Sequence, residues 1–359
     1  MEWLKDQTST ETLGLSVLID ELDCLTTAGA FRGEMNCGLT NLNSSKMDVF
    51  CVRYNQKGNI EWAVQMNTGY SPESPLILLI DEHNNYYIVY SDDQNVLTIS
   101  YIKRFGQIMW TKTFIESDKS IKKYHATVDD TFYLVSTIDD QVETNQTINN
   151  KSVLFKLDIN GNYIWSKGID STSSLVYEKE KTVIVVGVEE SKLFVLTMTK
   201  QGYSEDIYYF PGDIKVNSVF DMKIDSNNGI IITTVTEDES KLLTLLFSSK
   251  CEGSTICSKN ISEESDIISS QIFIDGCDMF EYVREEDGKS TVYKNDKIYL
   301  TFDDLPNRNY PSLSIGCEHI YIGGHYLSTL DIGNGEESIY KIYGREDQTA
   351  EYFVQMLKV

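Results

Sequence analysis

Val49–Trp62 reads VFCVRYNQKGNIEW, a run of β-branched and aromatic residues, a polar turn with a glycine, and a second run that reaches a tryptophan. The pattern recurs in residues 96–110, VLTISYIKRFGQIMW, and in residues 153–165, VLFKLDINGNYIW. In each copy the Trp stands four residues after the Gly. Two such runs joined by a short turn predict a β-hairpin, because glycine adopts the positive φ that the turn requires.

Weaker copies of this hairpin occur at residues 193–207, 242–256, 291–299 and 339–353. A second hairpin is predicted beside each copy, at residues 15–30, 76–90, 125–135, 174–188, 219–234, 268–282 and 313–326. The turn glycines at 58, 106, 161, 202 and 253 lie 41 to 55 residues apart, which is the spacing of propeller blades. The repeats therefore predict an all-β protein, a seven-bladed β-propeller of four-stranded antiparallel blades.

Seven repeats leave no room for a second domain, so we expect a single domain over residues 1–359. The predicted blades are residues 8–67, 68–115, 116–169, 170–212, 213–262, 263–303 and 304–359. Residues 351–356, EYFVQM, resemble residues 61–66, EWAVQM, and Trp3 also follows a Glu. We expect residues 1–7 to form an extra strand that pairs in the last blade, so that the terminal strands close the ring and remove a loose edge.

One structural role is predicted for the tryptophans and turn glycines of the repeat. A fixed place on the outer strand favours packing between blades over stacking on a sugar or a cofactor. The repeat positions are Trp3, Trp62, Trp110, Trp165, Gly58, Gly106, Gly161 and Gly202.

Composition restricts the partners and the location. The net charge of −24, without a cluster of Lys and Arg, excludes nucleic acid as an expected partner. The N-terminus lacks the basic and apolar regions of an export signal, and no apolar stretch is long enough to cross a membrane. We expect a soluble monomer in the cytoplasm or, for a viral protein, in the host cytoplasm or the virion. The seven cysteines are expected to be free thiols, with a Cys251–Cys257 disulfide as the alternative.

No catalytic, metal-binding or cofactor-binding motif is recognisable in the sequence. The histidines His83, His125, His319 and His325 show no metal-ligand spacing, and no Ser or Cys stands in a nucleophile elbow. Residues 158–162 and 225–229 superficially match calcium loops, but they lack the later bidentate Glu and fall on predicted turns. We therefore expect a protein that is not an enzyme and needs no cofactor.

Loop length indicates where a ligand would bind. The turns between the first and second strands and between the third and fourth strands of each blade are short, whereas three connections between second and third strands are long, at residues 32–46, 137–151 and 327–337. They share one face of the predicted propeller. Its candidate binding residues are Glu34, Asn41, Asp139, Asp140, Glu143, Asp331 and Asn334.

Three functions fit this organisation. The first is a binding or scaffold module that recognises a protein partner, such as a basic segment, through the long-loop face. The second is a carbohydrate-binding propeller, which the abundance of Tyr, Asn and Asp suggests. The third is a propeller enzyme, whether hydrolase, lyase or quinoprotein-like, that uses the central channel. The long loops also fit plain surface insertions.

The pattern Asp/Asn-x-x-Gly-Asn-x-x-Trp resembles the seven-bladed propeller repeats of bacterial and large-virus proteins, and more distantly the quinoprotein-type repeat. The resemblance is close in the three units with Trp62, Trp110 and Trp165. It implies a propeller but no particular activity, because these families share none. The richness in Asn, Ile, Lys and Tyr is typical of an AT-rich genome, such as that of a giant virus or a low-GC bacterium.

Overall fold

The computed structural model describes the chain in segments. They are residues 3–7, 11–20, 22–38, 40–71, 76–94, 96–115, 121–128, 131–138, 142–143, 147–148, 152–171, 174–179, 182–210, 214–224, 229–238, 241–247, 253–260, 267–275, 278–285, 290–295, 297–303, 312–315, 319–326, 329–333, 338–343 and 351–358. Every regular element in these segments is a β-strand, as the sequence predicts for an all-β protein.

The strands are numbered in chain order. They are β1 (Trp3–Gln7), β2 (Glu11–Ile19), β3 (Leu25–Cys37), β4 (Thr40–Tyr54), β5 (Ile60–Met66), β6 (Ile77–Ile80), β7 (Tyr86–Ser91), β8 (Leu97–Ile102), β9 (Ile108–Ile115), β10 (Ile121–Val128), β11 (Phe132–Ile138), β12 (Val142–Glu143), β13 (Thr147–Ile148), β14 (Ser152–Leu157), β15 (Tyr163–Ile169), β16 (Ser174–Lys179), β17 (Thr182–Glu189), β18 (Lys192–Thr199), β19 (Ser204–Tyr209), β20 (Val216–Ile224), β21 (Ile230–Thr236), β22 (Lys241–Phe247), β23 (Gly253–Asn260), β24 (Ile267–Asp275), β25 (Asp278–Glu285), β26 (Ser290–Lys294), β27 (Lys297–Asp303), β28 (Ser312–Ile315), β29 (His319–Tyr326), β30 (Thr329–Gly333), β31 (Ser338–Tyr343) and β32 (Glu351–Lys358).

The glycine turns between the third and fourth strands of a sheet share one geometry. After β4, the Gly58 N–H donates to the Asn55 carbonyl over 2.8 Å, and Gly58 has φ 73°. The pairing of β4 with β5 shifts register beside this turn, which is a β-bulge. Gly106, Gly161 and Gly202 close equivalent turns with φ of 82°, 69° and 89°. Only a residue without a Cβ adopts this conformation without strain.

Residues 158–162, which superficially match a calcium loop, form hydrogen bonds within a turn. The Asp158 carboxylate accepts hydrogen bonds from the Asn160 N–H over 2.9 Å and from the Asn162 N–H over 2.7 Å. The Asn162 side-chain amide donates to the other carboxylate oxygen over 2.9 Å. These bonds make an Asx turn that supports the hairpin. The related segment 225–228 lies outside the described residues.

The chain divides into two compact units, residues 1–116 with 275–359, and residues 117–274. In the first unit, four-stranded sheets have the orders β2-β3-β4-β5, β6-β7-β8-β9 and β1-β32-β29-β28. Strand β2, at one edge of its sheet, lies beside β6 and β28. Trp3 of β1 is paired with Met356 of β32, so both chain ends belong to one sheet. The predicted pairing of the terminal strands is confirmed.

The last predicted hairpin, residues 339–353, is wrong. β31 pairs with β30, and β30 pairs with β27 of the preceding sheet, whereas β32 pairs with β29. The segment 327–337, predicted to be a long loop, therefore contains a strand. The alternating run SIYKIY of β31 fits a hairpin with either neighbour. Pairing with β30 extends the preceding sheet beyond β27 and covers its edge.

The second unit contains four-stranded sheets of order β10-β11-β14-β15, β16-β17-β18-β19 and β20-β21-β22-β23, and a short pair β12-β13. Strand β16 lies beside both β10 and β20. Apolar side chains fill the space between successive sheets: Tyr133 and Leu154 pack with Val176 and Val185. Strands buried on both faces, such as β14, follow from this stacking. Six four-stranded sheets and one larger sheet are described in the two units, consistent with the seven predicted blades.

Candidate interaction surface

Two of the four repeat tryptophans, Trp62 and Trp165, join successive sheets. Trp62 of β5 donates its indole Nε1–H to the Arg104 carbonyl over 2.9 Å, in the turn between β8 and β9. The same ring lies against Gly106, where a Cβ would come within 2.7 Å of Trp62 Cγ. Gly106 therefore serves two purposes, because it supplies the positive φ of its own turn and leaves room for the indole of the neighbouring sheet.

The second unit repeats this contact. Trp165 of β15 donates Nε1–H to the Lys200 carbonyl over 3.3 Å, and its ring lies 3.2 Å from the position of a Cβ on Gly202. Trp110 of β9 lies among the rings of Tyr87 and Tyr101. These contacts agree with a packing role. Trp3 lies in β1, and its side chain is outside the described residues.

A buried ionic cluster strengthens the first sheet of the first unit. Arg53 of β4 bonds to the carboxylates of Asp20 and Glu61. Asp20 begins the turn between β2 and β3, and it also accepts the N–H groups of Leu22 and Cys24. The two carboxylates balance the charge of the buried guanidinium, whose Nε–H has no hydrogen-bond partner among the described residues. The contact with Asp20 joins β4 to the turn between β2 and β3.

The long connection over residues 32–46 forms an ordered hairpin that folds back on its own sheet. Strands β3 and β4 remain paired as far as Cys37 and Thr40, with an irregularity next to Gly33, which has φ 91°. Met35, Cys37 and Leu42 are buried with Phe50, Val52 and Tyr54. At the tip, a Cβ on Gly38 would lie 3.8 Å from Ile60 Cδ1, at the start of β5.

Polar bonds fasten the returning hairpin. The Asn43 N–H donates to Gln65 Oε1 over 3.2 Å, and Gln65 Nε2 donates to the Asn43 carbonyl over 3.0 Å. The expectation of a loop over residues 32–46 is therefore corrected. The alternation of buried Met35 and Cys37 with exposed Glu34 is the sequence signal that would have predicted a strand here.

The predicted binding residues are only partly described. Glu34 and Asn41 are exposed on the outer side of the folded-back hairpin. Glu143 lies in β12 and Asp331 in β30, with side chains outside the described residues. Asp139, Asp140 and Asn334 lie outside the described residues altogether. A common surface for all seven stays a prediction.

Exposed apolar side chains occur at corresponding ends of the sheets in each unit. We call the end of each sheet that holds its first-to-second and third-to-fourth strand turns the turn side. Among the described residues ten large apolar side chains are exposed, and eight of them lie in these turns or in the first two residues of the strand that follows. These eight are Leu22, Phe105, Ile108 and Met109 in the first unit, and Ile159, Tyr163, Ile164 and Tyr203 in the second.

The most exposed of these side chains stand next to the repeat glycines. Phe105 precedes Gly106 and is 73% exposed, and Tyr203 follows Gly202 and is 72% exposed. Both were visible in the sequence, but the strand pattern alone does not tell that they point to solvent. The turns that carry them are held in place by Trp62 and Trp165.

A histidine lies between the first strands of two sheets of the second unit. His125 of β10 is partly buried, and its Nδ1 accepts the Val176 N–H over 3.4 Å. Desolvation lowers the pKa of His125 to about 4, with Lys223 acting in the same direction and Asp221 against it. His125 is therefore neutral near pH 7. His83, by contrast, lies exposed in the turn between β6 and β7.

Metal and thiol chemistry find no support in the described segments. No group of three or more His, Cys, Asp or Glu side chains within them is placed to hold a metal ion. Cys24, Cys37 and Cys51 are free and buried, and burial raises the pKa of the Cys37 thiol to about 12. Cys251 lies outside the described residues. Over the same part of the chain, no helix is long and apolar enough to span a membrane.

No protein-family model and no curated protein matches the chain. Among solved structures it resembles BamB from Moraxella catarrhalis, with 13% identity, 98% of each chain covered and a TM-score of 0.50. It also resembles a triple arginine-to-alanine mutant of AofleA from Arthrobotrys oligospora, with 11% identity, 82% of this chain and 89% of that chain covered, and a TM-score of 0.50. The Dos1 propeller matches with 8% identity, 98% of this chain and 93% of that chain covered, and a TM-score of 0.49.

At these identities the likeness concerns the fold alone. The family resemblance of the Gly-Asn-x-x-Trp repeats stays a prediction. The likeness to BamB agrees with the repeated four-stranded sheets and with the pairing of the two chain ends. The chain therefore has the fold of a β-propeller with four-stranded antiparallel blades.

Proposed function

We propose that this propeller is a binding module without catalytic activity and that it recognises a protein partner. The observation that carries the proposal is the concentration of exposed apolar side chains on the turn side of the sheets. Single exposed apolar residues are ordinary on protein surfaces. Aromatic side chains repeated at equivalent turns are the residue type that dominates the energy of protein interfaces.

Two surfaces compete for this role. The long-loop face predicted from the sequence offers Glu34 and Asn41, which are polar. The turn side offers Phe105 in the first unit and Tyr203 in the second, each on a turn that the neighbouring sheet of its own unit holds. Rigid aromatic anchors lose little entropy on binding, which favours the turn side.

The experiment is selection of binders from a random peptide library displayed on phage, with the whole chain as bait. Recovered peptides are then measured by biolayer interferometry against Phe105→Ala/Tyr203→Ala and against Glu34→Ala/Asn41→Ala. We expect the turn-side pair to weaken binding by about tenfold or more, as loss of an interface anchor does. The Glu34/Asn41 pair is the matched control and is expected to bind as the parent does.

The other outcomes are equally informative. Loss of binding only in the Glu34→Ala/Asn41→Ala variant would place recognition on the long-loop face and overturn the turn-side assignment. Absence of any selected binder would contradict the proposed function. A glycan array is run beside the selection because the exposed rings of Tyr163 and Tyr203 also suit stacking on a sugar. Glycan binding that is lost in Tyr203→Ala would favour the carbohydrate-binding alternative.

A further inference from the structure

We infer that the turn Lys103–Gly106 binds an acidic protein segment that carries an apolar side chain next to its carboxylates. The inference rests on the proposed function and adds the chemistry of the partner. Three consecutive residues carry it, namely Lys103, Arg104 and Phe105, all of them exposed. Together they present two positive charges and an aromatic ring to solvent.

The two charges are available for a partner. Neither Lys103 nor Arg104 forms an ion pair with a residue that the structure describes. Arg53, by contrast, pairs with Asp20 and Glu61, and Lys200 pairs with Glu178. In a chain of net charge −24, Lys103 and Arg104 are two neighbouring cations that pair with none of the described carboxylates.

The turn is also held in one conformation. The Gly106 N–H donates to the Lys103 carbonyl over 2.8 Å, and the Lys103 N–H donates to the Gln107 carbonyl over 2.9 Å. Trp62 of the neighbouring sheet fixes the Arg104 carbonyl. The Arg104 guanidinium lies 4.5 Å from the centroid of the Phe105 ring, so charge and apolar surface are adjacent. A partner therefore meets a preformed surface and loses less free energy in ordering it.

Charge complementarity selects the class of partner. Carboxylates beside Lys103 and Arg104 gain bidentate and single hydrogen bonds, and an apolar side chain covers the exposed face of Phe105. A nucleic acid is disfavoured because its phosphates would extend beyond this small positive site into the field of a chain with net charge −24. A short segment with a few carboxylates stays within about one Debye length, about 10 Å, of the two cations.

The test uses a fluorescein-labelled peptide with the sequence Gly-Glu-Glu-Leu-Trp-Glu-Glu-Gly, measured by fluorescence anisotropy against the whole chain. Matched peptides replace every Glu by Gln, or Leu-Trp by Ala-Ala. We expect saturable binding of the first peptide, at least about tenfold weaker binding of both matched peptides, and weakening with added salt. Lys103→Glu/Arg104→Glu is expected to abolish binding, and Phe105→Ala to weaken it about tenfold.

The control variant is Lys192→Glu/Lys241→Glu, which makes the same change in net charge at two exposed lysines of the other unit. Equal loss of binding in this control would show a general charge effect and overturn the inference. Absence of peptide binding, or tighter binding of a single-stranded oligonucleotide, would overturn it too. If peptides selected from the random library bind and depend on Phe105 while the acidic peptide does not bind, the proposed function stands and only the acidic chemistry is wrong.

Discussion

The indole of Trp62 occupies the space where a side chain on Gly106 would begin: a Cβ built there lies 2.7 Å from Trp62 Cγ and 2.9 Å from Trp62 Cδ2. The hydrogen bond from Trp62 Nε1 to the Arg104 carbonyl holds the same turn. A repeat that looks local in the sequence therefore joins two sheets. The glycine of one hairpin is required by the tryptophan of the preceding one.

Three glycine-to-alanine variants distinguish the cost of backbone strain at positive φ from the cost of a steric collision with a tryptophan ring. Gly38→Ala meets only ordinary contacts, so it is expected to cost about 1 kcal/mol for its φ of +69°. Gly202→Ala adds a contact of 3.2 Å with Trp165, and Gly106→Ala adds the 2.7 Å collision with Trp62. The urea midpoint is expected to be lowered least by Gly38→Ala, more by Gly202→Ala and most by Gly106→Ala. Gly106→Ala is expected to reduce the free energy of unfolding by about 3 kcal/mol. Equal midpoints for all three variants would contradict the collision.

Arg53→Ala is expected to destabilise the protein strongly. It leaves the buried Asp20 carboxylate without its cation, a change that costs about 3–5 kcal/mol for a buried pair. Glu61→Gln, at the partly exposed end of the same guanidinium, is the control and is expected to cost at most about 1 kcal/mol. Both are measured by urea unfolding at neutral pH. A small effect for Arg53→Ala would show that solvent reaches Asp20.

His125 predicts a pH dependence of stability. Its pKa in the folded chain is about 4, below the ordinary value of about 6.5, so the unfolded chain binds a proton that the folded chain does not bind between these values. The stability from the neutral imidazole is fully present above about pH 6.5 and is lost as the pH falls towards about 4, by up to about 3 kcal/mol.

The measurement for His125 compares urea midpoints at about pH 7.5 and about pH 4.5. His125→Gln keeps an acceptor for the Val176 N–H but does not titrate, so the difference between the two pH values is expected to shrink. His83→Gln, in an exposed turn, is expected to leave the difference unchanged. An unchanged difference in His125→Gln would assign the acid sensitivity to carboxylates instead.

The folded-back hairpin predicts a contrast between neighbours. Met35 is fully buried, so Met35→Ala is expected to lower stability by about 2–4 kcal/mol through lost contacts and a cavity. Glu34, the preceding residue, is exposed, and Glu34→Ala is expected to change stability by no more than about 0.5 kcal/mol. Urea unfolding of the two variants checks this. Similar values for both would mean that the hairpin does not stay on the sheet.

The two candidate surfaces differ in how far the sequence predicts them. Glu34 and Asn41 were predicted from loop length alone, and their exposure agrees with that, but their segment is a hairpin whose other side is buried. Phe105 and Tyr203 stand beside the repeat glycines, where the sequence pattern predicts a hairpin turn. Alternation shows that residues of a strand face opposite sides, but the turn itself follows no such rule, so their exposure was not predicted.

The sequence by itself determined most strands of the repeat, the glycine turns and the pairing of the two chain ends, because each depends on local alternation, on positive φ, or on the likeness of residues 351–356 to residues 61–66. Only the tertiary structure decided that Trp62 meets Gly106, that β31 pairs with β30, and that residues 33–42 return to the face of their own sheet. The physical reason is that the alternation of a strand indicates which side chains are apolar and become buried, whereas the surface that covers them consists of residues distant in the chain.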